Sequence, residues 1–150
     1  DILITIACAF AISKAMVNSG VADKVAGFII GMSHDYGPHV LLAVLFIITN
    51  LFTELITNNA AAALAFPLAL SLSVQLGVDP TQLGVSPTPF FVVICMAASA
   101  SFSTPIGYQT NLIVQGIGNY KFMDFVRIGL PLNLITFLIS IFLIPLIWPF

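Results

Sequence analysis

Two short polar segments interrupt long apolar stretches of this chain. They are Thr57-Asn58-Asn59 and the run of residues 103–107, Ser-Thr-Pro-Ile-Gly. Thr and Asn side chains compete with the backbone for hydrogen bonds, proline removes a backbone N–H, and glycine permits unusual backbone angles. Both segments therefore predict unwound backbone. Carbonyl oxygens freed in this way suit a hard cation such as Na⁺.

The second polar segment also predicts a place for an anion. Gln109, Thr110 and Asn111 follow it and indicate the start of a half-helix, whose free N–H groups and positive dipole end favour negative charge. Neither segment contains Lys or Arg. A bound anion would therefore depend on helix ends, amides, hydroxyls and co-bound cations, because an uncompensated charge is costly to desolvate. The composition of the two segments favours an anion that binds together with a cation.

The rest of the chain indicates a membrane protein. Of its 150 residues, 59% are hydrophobic and 7% are charged, whereas a soluble domain has about 25% charged residues. Residues 128–150 carry no charged side chain, and as a helix they would span ~34 Å, enough to cross a hydrocarbon core of about 30 Å. We therefore expect an all-α integral membrane fold. The net charge of −2 argues against a nucleic-acid partner.

The predicted helices flank the two polar segments. They cover residues 2–17, 21–33, 38–56, 60–76, 90–102, 108–117 and a last span over 128–150, with surface loops over 31–37 and 77–89. We predict that Thr57-Asn58-Asn59 forms the tip of a re-entrant helical hairpin, and that residues 103–107 form the unwound middle of a broken helix. Paired breaks of this kind point to a binding site at the centre of a transporter. A kinked span or an extramembrane turn would explain the first segment, and a proline kink with a packing role would explain the second.

Glu54 is the acidic residue of the 38–56 helix. A carboxylate inside a membrane is costly, and by default it is a functional candidate. It could face a Na⁺, carry a proton, or accept hydrogen bonds from backbone amides near the hairpin tip. We favour a supporting role beside the site, because Thr53 supplies a hydroxyl next to it.

The motifs around both breaks resemble those of a known family. The run of residues 53–60 (Thr-Glu-Leu-Ile-Thr-Asn-Asn-Ala) resembles the hairpin-tip motif of the divalent-anion/sodium symporter family, in which Ser-Asn-Thr is the usual tip. Residues 103–111 (Ser-Thr-Pro-Ile-Gly-Tyr-Gln-Thr-Asn) resemble its second motif, and residues 12–20 are similar to the helix before the hairpin. The resemblance covers nearly the whole chain. It implies the C-terminal member of two inverted repeats, and we expect the chain to be part of a longer protein.

The resemblance also implies a function and a set of site residues. It implies sodium-coupled symport of a divalent anion, with Na⁺ as the co-transported ion and no organic cofactor. The implied substrate-binding residues are Thr57, Asn58, Asn59, Thr104 and Pro105. The implied Na⁺-binding residues are Thr53, Thr57, Asn58 and Ser103, and those with a coupling or supporting role are Glu54, Thr110 and Asn111. The implied partners are the lipid bilayer, the missing N-terminal repeat and a second copy in a homodimer, in the plasma (inner) membrane.

The anion and the coupling ion stay open at this point. The tip departs from the family pattern, with Thr in place of Ser and Asn in place of Thr. The form of residues 104–111 is closer to permeases of sulfate-like anions than to those of dicarboxylates. A proton-coupled or arsenite-type permease and a passive anion channel are the alternatives. An enzyme is not expected, because the sequence offers no nucleophile–base pair, metal-ligand cluster or phosphate loop.

Overall fold

The computed structural model describes residues 2–33, 37–75 and 86–150. Over these ranges the chain forms α-helices and their connections, without a strand. In order the helices are α1 (Ile2–Asn18), α2 (Val21–Ser33), α3 (Pro38–Leu55), α4 (Asn58–Gln75), α5 (Thr88–Ser99), α6 (Gln109–Gly118) and α7 (Phe122–Ile147). The predicted all-α fold is therefore confirmed for the described residues. Of the two predicted loops, residues 34–36 and 77–85 lie outside the described ranges, as does residue 76, the predicted end of the helix before the second loop.

The break between α3 and α4 is shorter than the predicted polar segment. It consists of Ile56, whose backbone is extended, and Thr57. The Ala60 amide approaches Thr57 Oγ1 at 3.4 Å, which is the contact of a residue that caps a helix N-terminus. Asn58 and Asn59 consequently belong to the first turn of α4 and not to the break.

The break between α5 and α6 is longer than predicted. Helix α5 ends at Ser99 and α6 begins at Gln109, so residues 100–108 are non-helical; we call them the 100–108 loop. The prediction extended the preceding helix to residue 102. The helix stops earlier because the backbone at Ala100 is turned towards α3, where Asn50 Nδ2 donates to the Ala100 carbonyl at 2.6 Å.

Helix α4 lies at the centre of the bundle. It packs against α1, α2, α3 and α5. Ala61, Ala65 and Ala69 are fully buried, and their four-residue spacing places them on one face of the helix. Such small side chains allow neighbouring helices to approach closely. The largest fully buried core side chains come from the neighbouring helices as well as α4, and include Leu42, Leu45, Phe46, Leu72, Phe90 and Val93.

Helices α6 and α7 form the outer part of the described structure. Helix α7 buries a single stripe, made of Gly129, Asn133, Ser140 and Ile144, and its other faces expose large apolar side chains. Helix α6 buries none of its residues. By length and composition, α3 and α7 are able to cross a membrane. Gly129 and Asn133 of this stripe face the 100–108 loop.

Candidate ion and substrate site

The two helix breaks meet at the C-terminal end of α3. A helix leaves its last four carbonyl groups without helical partners, and two of them are used here. Ser101 Oγ donates to the Thr53 carbonyl at 3.0 Å, and Thr104 Oγ1 donates to the Glu54 carbonyl at 2.6 Å. Hydroxyls of the 100–108 loop thus satisfy carbonyls that the interruption after α3 leaves free. Direct hydrogen bonds therefore join the end of α3, just before the first break, to the 100–108 loop.

Gly107 makes this close approach possible. A Cβ at this position would overlap Ser101 Oγ and the Thr53 carbonyl oxygen. The loop is also braced from α6, because Asn111 Nδ2 lies 3.2 Å from both the Ser101 and the Thr104 carbonyl oxygens. The 100–108 loop is therefore a defined structure held from two sides.

A cluster of oxygen atoms lies at the centre of this contact. Thr53 Oγ1 is 2.8 Å from Asn58 Oδ1 and 2.7 Å from the Ala98 carbonyl oxygen, and Thr53 is fully buried. A threonine hydroxyl has one proton to donate, so it satisfies one of these two oxygens at a time. Three closely spaced oxygens that share one proton are an arrangement that a hard cation can stabilise.

Glu54 follows Thr53 in the chain, and only 8% of this residue is exposed. Its Oε1 accepts hydrogen bonds from the Phe102 and Ser103 backbone amides at 3.1 and 2.9 Å. It also accepts one from Asn133 Nδ2 at 2.7 Å. Its Oε2 is buried and has no hydrogen-bond partner among the described residues. Of the roles weighed for Glu54, this geometry matches the acceptor of backbone amides, although the amides belong to the 100–108 loop.

The structure brings some of the predicted site residues together and leaves others at the periphery. Those in the hydrogen-bonded contact are Thr53, Glu54, Asn58, Ser103, Thr104 and Asn111. Pro105 is buried within the loop, whereas Thr57, Asn59 and Thr110 are exposed.

Sequence reasoning missed three residues that hold this site: Asn50, Ser101 and Asn133. Asn133 carried the clearest signal, as the one Asn or Gln in the uncharged 128–150 run. A buried amide in a membrane helix is expected to find a hydrogen-bond partner on a neighbouring segment. The partner itself could not be inferred, because Glu54 lies 79 residues away in the chain.

Comparison with known proteins decides the family. The profile of a family described as citrate transporter matches residues 1–149. The chain belongs to this citrate transporter family. Membership confirms the resemblance to divalent-anion/sodium symporters and identifies an integral membrane protein of a transporter family.

Three relatives of this chain are named as transporters. The chain is 40% identical over 131 residues to YfbS, an uncharacterized transporter of Escherichia coli K12, which is 87% of the chain and 20% of that protein. It is 36% identical over 145 residues to sodium/sulfate cotransporter 1 of Chlamydomonas reinhardtii, which is 96% of the chain and 16% of that protein. It is 26% identical over 148 residues to the sodium-dependent dicarboxylate transporter SdcS of Staphylococcus saprophyticus, which is 99% of the chain and 27% of that protein. The chain thus spans about a quarter or less of the length of these relatives.

Proposed function

We propose that this chain is the C-terminal of two inverted repeats in a sodium-coupled symporter of divalent anions. The observation that carries the proposal is the oxygen cluster formed by Thr53, Asn58 and the Ala98 carbonyl, in which one hydroxyl proton serves two acceptors. The cluster lies where the end of α3 meets the 100–108 loop. Two interrupted helices that expose backbone groups at one point are the usual construction of a transporter site.

On the cation side, we propose that Thr53, Thr57, Asn58 and Ser103 surround a Na⁺, partly through backbone carbonyls. Oxygen ligands suit a hard cation, and the Glu54 carboxylate lies next to Thr53 in the chain. Because Glu54 Oε2 has no donor among the described residues, its charge is only partly compensated by hydrogen bonds. Uncompensated negative charge on the residue that follows Thr53 favours a cation in this region.

On the anion side, we propose that Thr57, Asn58, Asn59, Thr104 and Pro105 surround the substrate. Thr57 and Asn59 are exposed within this chain, and we place the solute against them at the junction of α3 and α4. The N-terminus of α6, near Thr110, adds a positive dipole end. Asn111 acts indirectly, since its amide holds two loop carbonyls. The bound Na⁺ would then supply the positive charge that these residues lack.

Sulfate, or an anion like it, is the substrate class we propose. Identity is 36% with the relative named as a sodium/sulfate cotransporter and 26% with the one named as a dicarboxylate transporter. The sequence of residues 104–111, Thr-Pro-Ile-Gly-Tyr-Gln-Thr-Asn, also resembles permeases of sulfate-like anions more than those of dicarboxylates.

In the membrane, we propose that α3 and α4 form a re-entrant hairpin and that α5 and α6 form one broken helix. The protein would work as a homodimer in the plasma membrane.

Uptake into liposomes that contain the purified full-length protein tests this function. A sodium gradient is expected to drive concentrative, saturable uptake of sulfate, or of succinate if the dicarboxylate alternative holds, and a potassium gradient is expected to drive none. Uptake driven by a proton gradient without Na⁺ would favour the proton-coupled alternative. Uptake that neither saturates nor exceeds equilibrium would indicate a passive channel.

A further inference from the structure

Asn133 on α7 connects the last helix to the candidate site. Asn133 is 7% exposed, and its Nδ2 lies 2.7 Å from Glu54 Oε1 and 2.8 Å from Ser103 Oγ. One amide group therefore reaches both α3 and the 100–108 loop. Neither the family motifs nor the proposed ligands include this residue.

The contact is tight because α7 presents glycine to the loop. Gly129 lies one turn before Asn133 on the same stripe, and a Cβ there would overlap the Phe102 backbone. The loop backbone thus passes directly over α7. Asn133 reaches the Glu54 carboxylate from this position, while the Phe102 and Ser103 amides approach the same oxygen from the loop.

The Glu54 carboxylate therefore sets the orientation of two consecutive peptide groups. Because a peptide group is planar, an N–H held by Oε1 fixes the direction of the carbonyl on the other side of that peptide. The two peptides that end at Phe102 and Ser103 are fixed in this way. Asn133 holds the oxygen on which both of them depend.

We infer that Asn133 is a positioning residue for the cation site: it holds the Glu54 carboxylate, which in turn sets the loop backbone that packs against Thr53. The inference rests on the proposed function, since it assigns Asn133 to the Na⁺ step of that transport cycle. Residues that orient the ligands of a metal typically change metal affinity by roughly 10- to 100-fold when they are replaced.

The test compares Asn133→Leu with Ser140→Ala in the full-length protein. Ser140 is a matched control, because it is buried on the same stripe of α7 and its hydroxyl has no partner among the described residues. In liposomes, Asn133→Leu is expected to raise the Na⁺ concentration for half-maximal uptake roughly 10- to 100-fold. The maximal rate at saturating Na⁺ should change much less, and Ser140→Ala should match the wild type in both quantities.

A second comparison covers the case in which Asn133→Leu does not fold. Asn133→Asp places two carboxylates in contact, so sodium-driven uptake by this variant should be strongly impaired. The double variant Glu54→Gln with Asn133→Asp exchanges the two groups, so that one amide again faces one carboxylate. The introduced glutamine would keep an oxygen for the Phe102 and Ser103 amides, while its NH₂ group donates to the introduced aspartate on α7. We expect this double variant to recover a lower Na⁺ requirement than Asn133→Asp alone, and failure to recover would overturn the inference.

The outcomes separate this inference from the proposed function. Absence of sodium-driven uptake by the wild-type protein would contradict the function itself. Sodium-driven uptake with the same Na⁺ response in Asn133→Leu and Ser140→Ala would contradict only the inference. A fall in maximal rate without a change in Na⁺ response would also contradict it, because it would mean that Asn133 has a merely structural role. Hydrogen exchange supplies a readout independent of transport: the Phe102 and Ser103 amides should exchange faster in Asn133→Leu than in Ser140→Ala.

Discussion

Asn58 Oδ1 lies 2.8 Å from Thr53 Oγ1, so a side chain in the first turn of α4 contacts the last turn of α3 across the break between them. Thr53 also touches the Ala98 carbonyl at 2.7 Å, which links the same break to the end of α5. One hydroxyl thus joins three helix ends. Thr53 therefore links the break after α3 to the end of α5, where the 100–108 loop begins.

Replacing Thr53 by Val tests whether its hydroxyl is part of the cation site. Val keeps the branched shape but removes the oxygen, so we expect the Na⁺ concentration for half-maximal uptake to rise about ten-fold or more, equivalent to about 1.4 kcal/mol. Thr49→Val is the matched control, because Thr49 is equally buried and its hydroxyl donates only to Leu45 of its own helix. Sulfate uptake measured over a range of Na⁺ concentrations gives the half-maximal Na⁺ concentration for each of the two variants. Equal Na⁺ responses in the two variants would remove Thr53 from the site.

Gly107→Ala tests the close approach of the 100–108 loop to α3. The added methyl would overlap Ser101 Oγ and the Thr53 carbonyl, and overpacking of this kind costs about 1–3 kcal/mol. Thermal unfolding in detergent should show a lower midpoint. Gly116→Ala is the control: nothing lies within 4 Å of its Cβ position, and Ala is the better helix former by up to about 1 kcal/mol. A wild-type midpoint for Gly107→Ala would mean that the loop does not pack as described.

Substitutions of Glu54 distinguish a structural acceptor from a proton carrier. Glu54→Gln keeps an oxygen that can accept from Phe102, Ser103 and Asn133, whereas Glu54→Ala leaves these donors without an acceptor, at about 1–3 kcal/mol each. We therefore expect Gln to reduce uptake less than Ala does, and the remaining uptake to stay dependent on Na⁺. Uptake by both variants under sodium and proton gradients measures this. Wild-type uptake that a proton gradient drives without Na⁺, and that Glu54→Gln abolishes, would instead support proton transfer through Glu54.

The sequence predicted the helices and the two breaks because both are local properties. An apolar run favours a helix over its own length. Pro105, Gly107 and the Thr57–Asn59 cluster change the backbone conformation only of residues close to them in the chain. Of the two errors in helix bounds, one has a local cause and the other depends on a residue 50 positions away. Asn58 and Asn59 entered α4 because Thr57 caps it, and α5 ended early because the Ala100 carbonyl turns towards Asn50.

The connections across the site could not be read from the sequence. Glu54 and Asn133 are 79 residues apart, and no local pattern says that an amide on the last helix meets a carboxylate on the third. The same holds for Ser101, the last residue of a run of small side chains at 97–101. Its role depends on the Thr53 carbonyl, which becomes available only because α3 ends nearby.

The most direct test of the central claim is the mutual dependence of Na⁺ and anion binding in the purified full-length protein. If both occupy one pocket, Na⁺ must tighten anion binding and the anion must tighten Na⁺ binding by the same factor, because coupling between two ligands is reciprocal. Equilibrium binding of sulfate at several Na⁺ concentrations, and of Na⁺ at several sulfate concentrations, measures that factor. We predict clear positive coupling in the wild type and its loss in Asn58→Ala. Anion binding that is independent of Na⁺, or coupling that is unchanged in Asn58→Ala, would contradict the account.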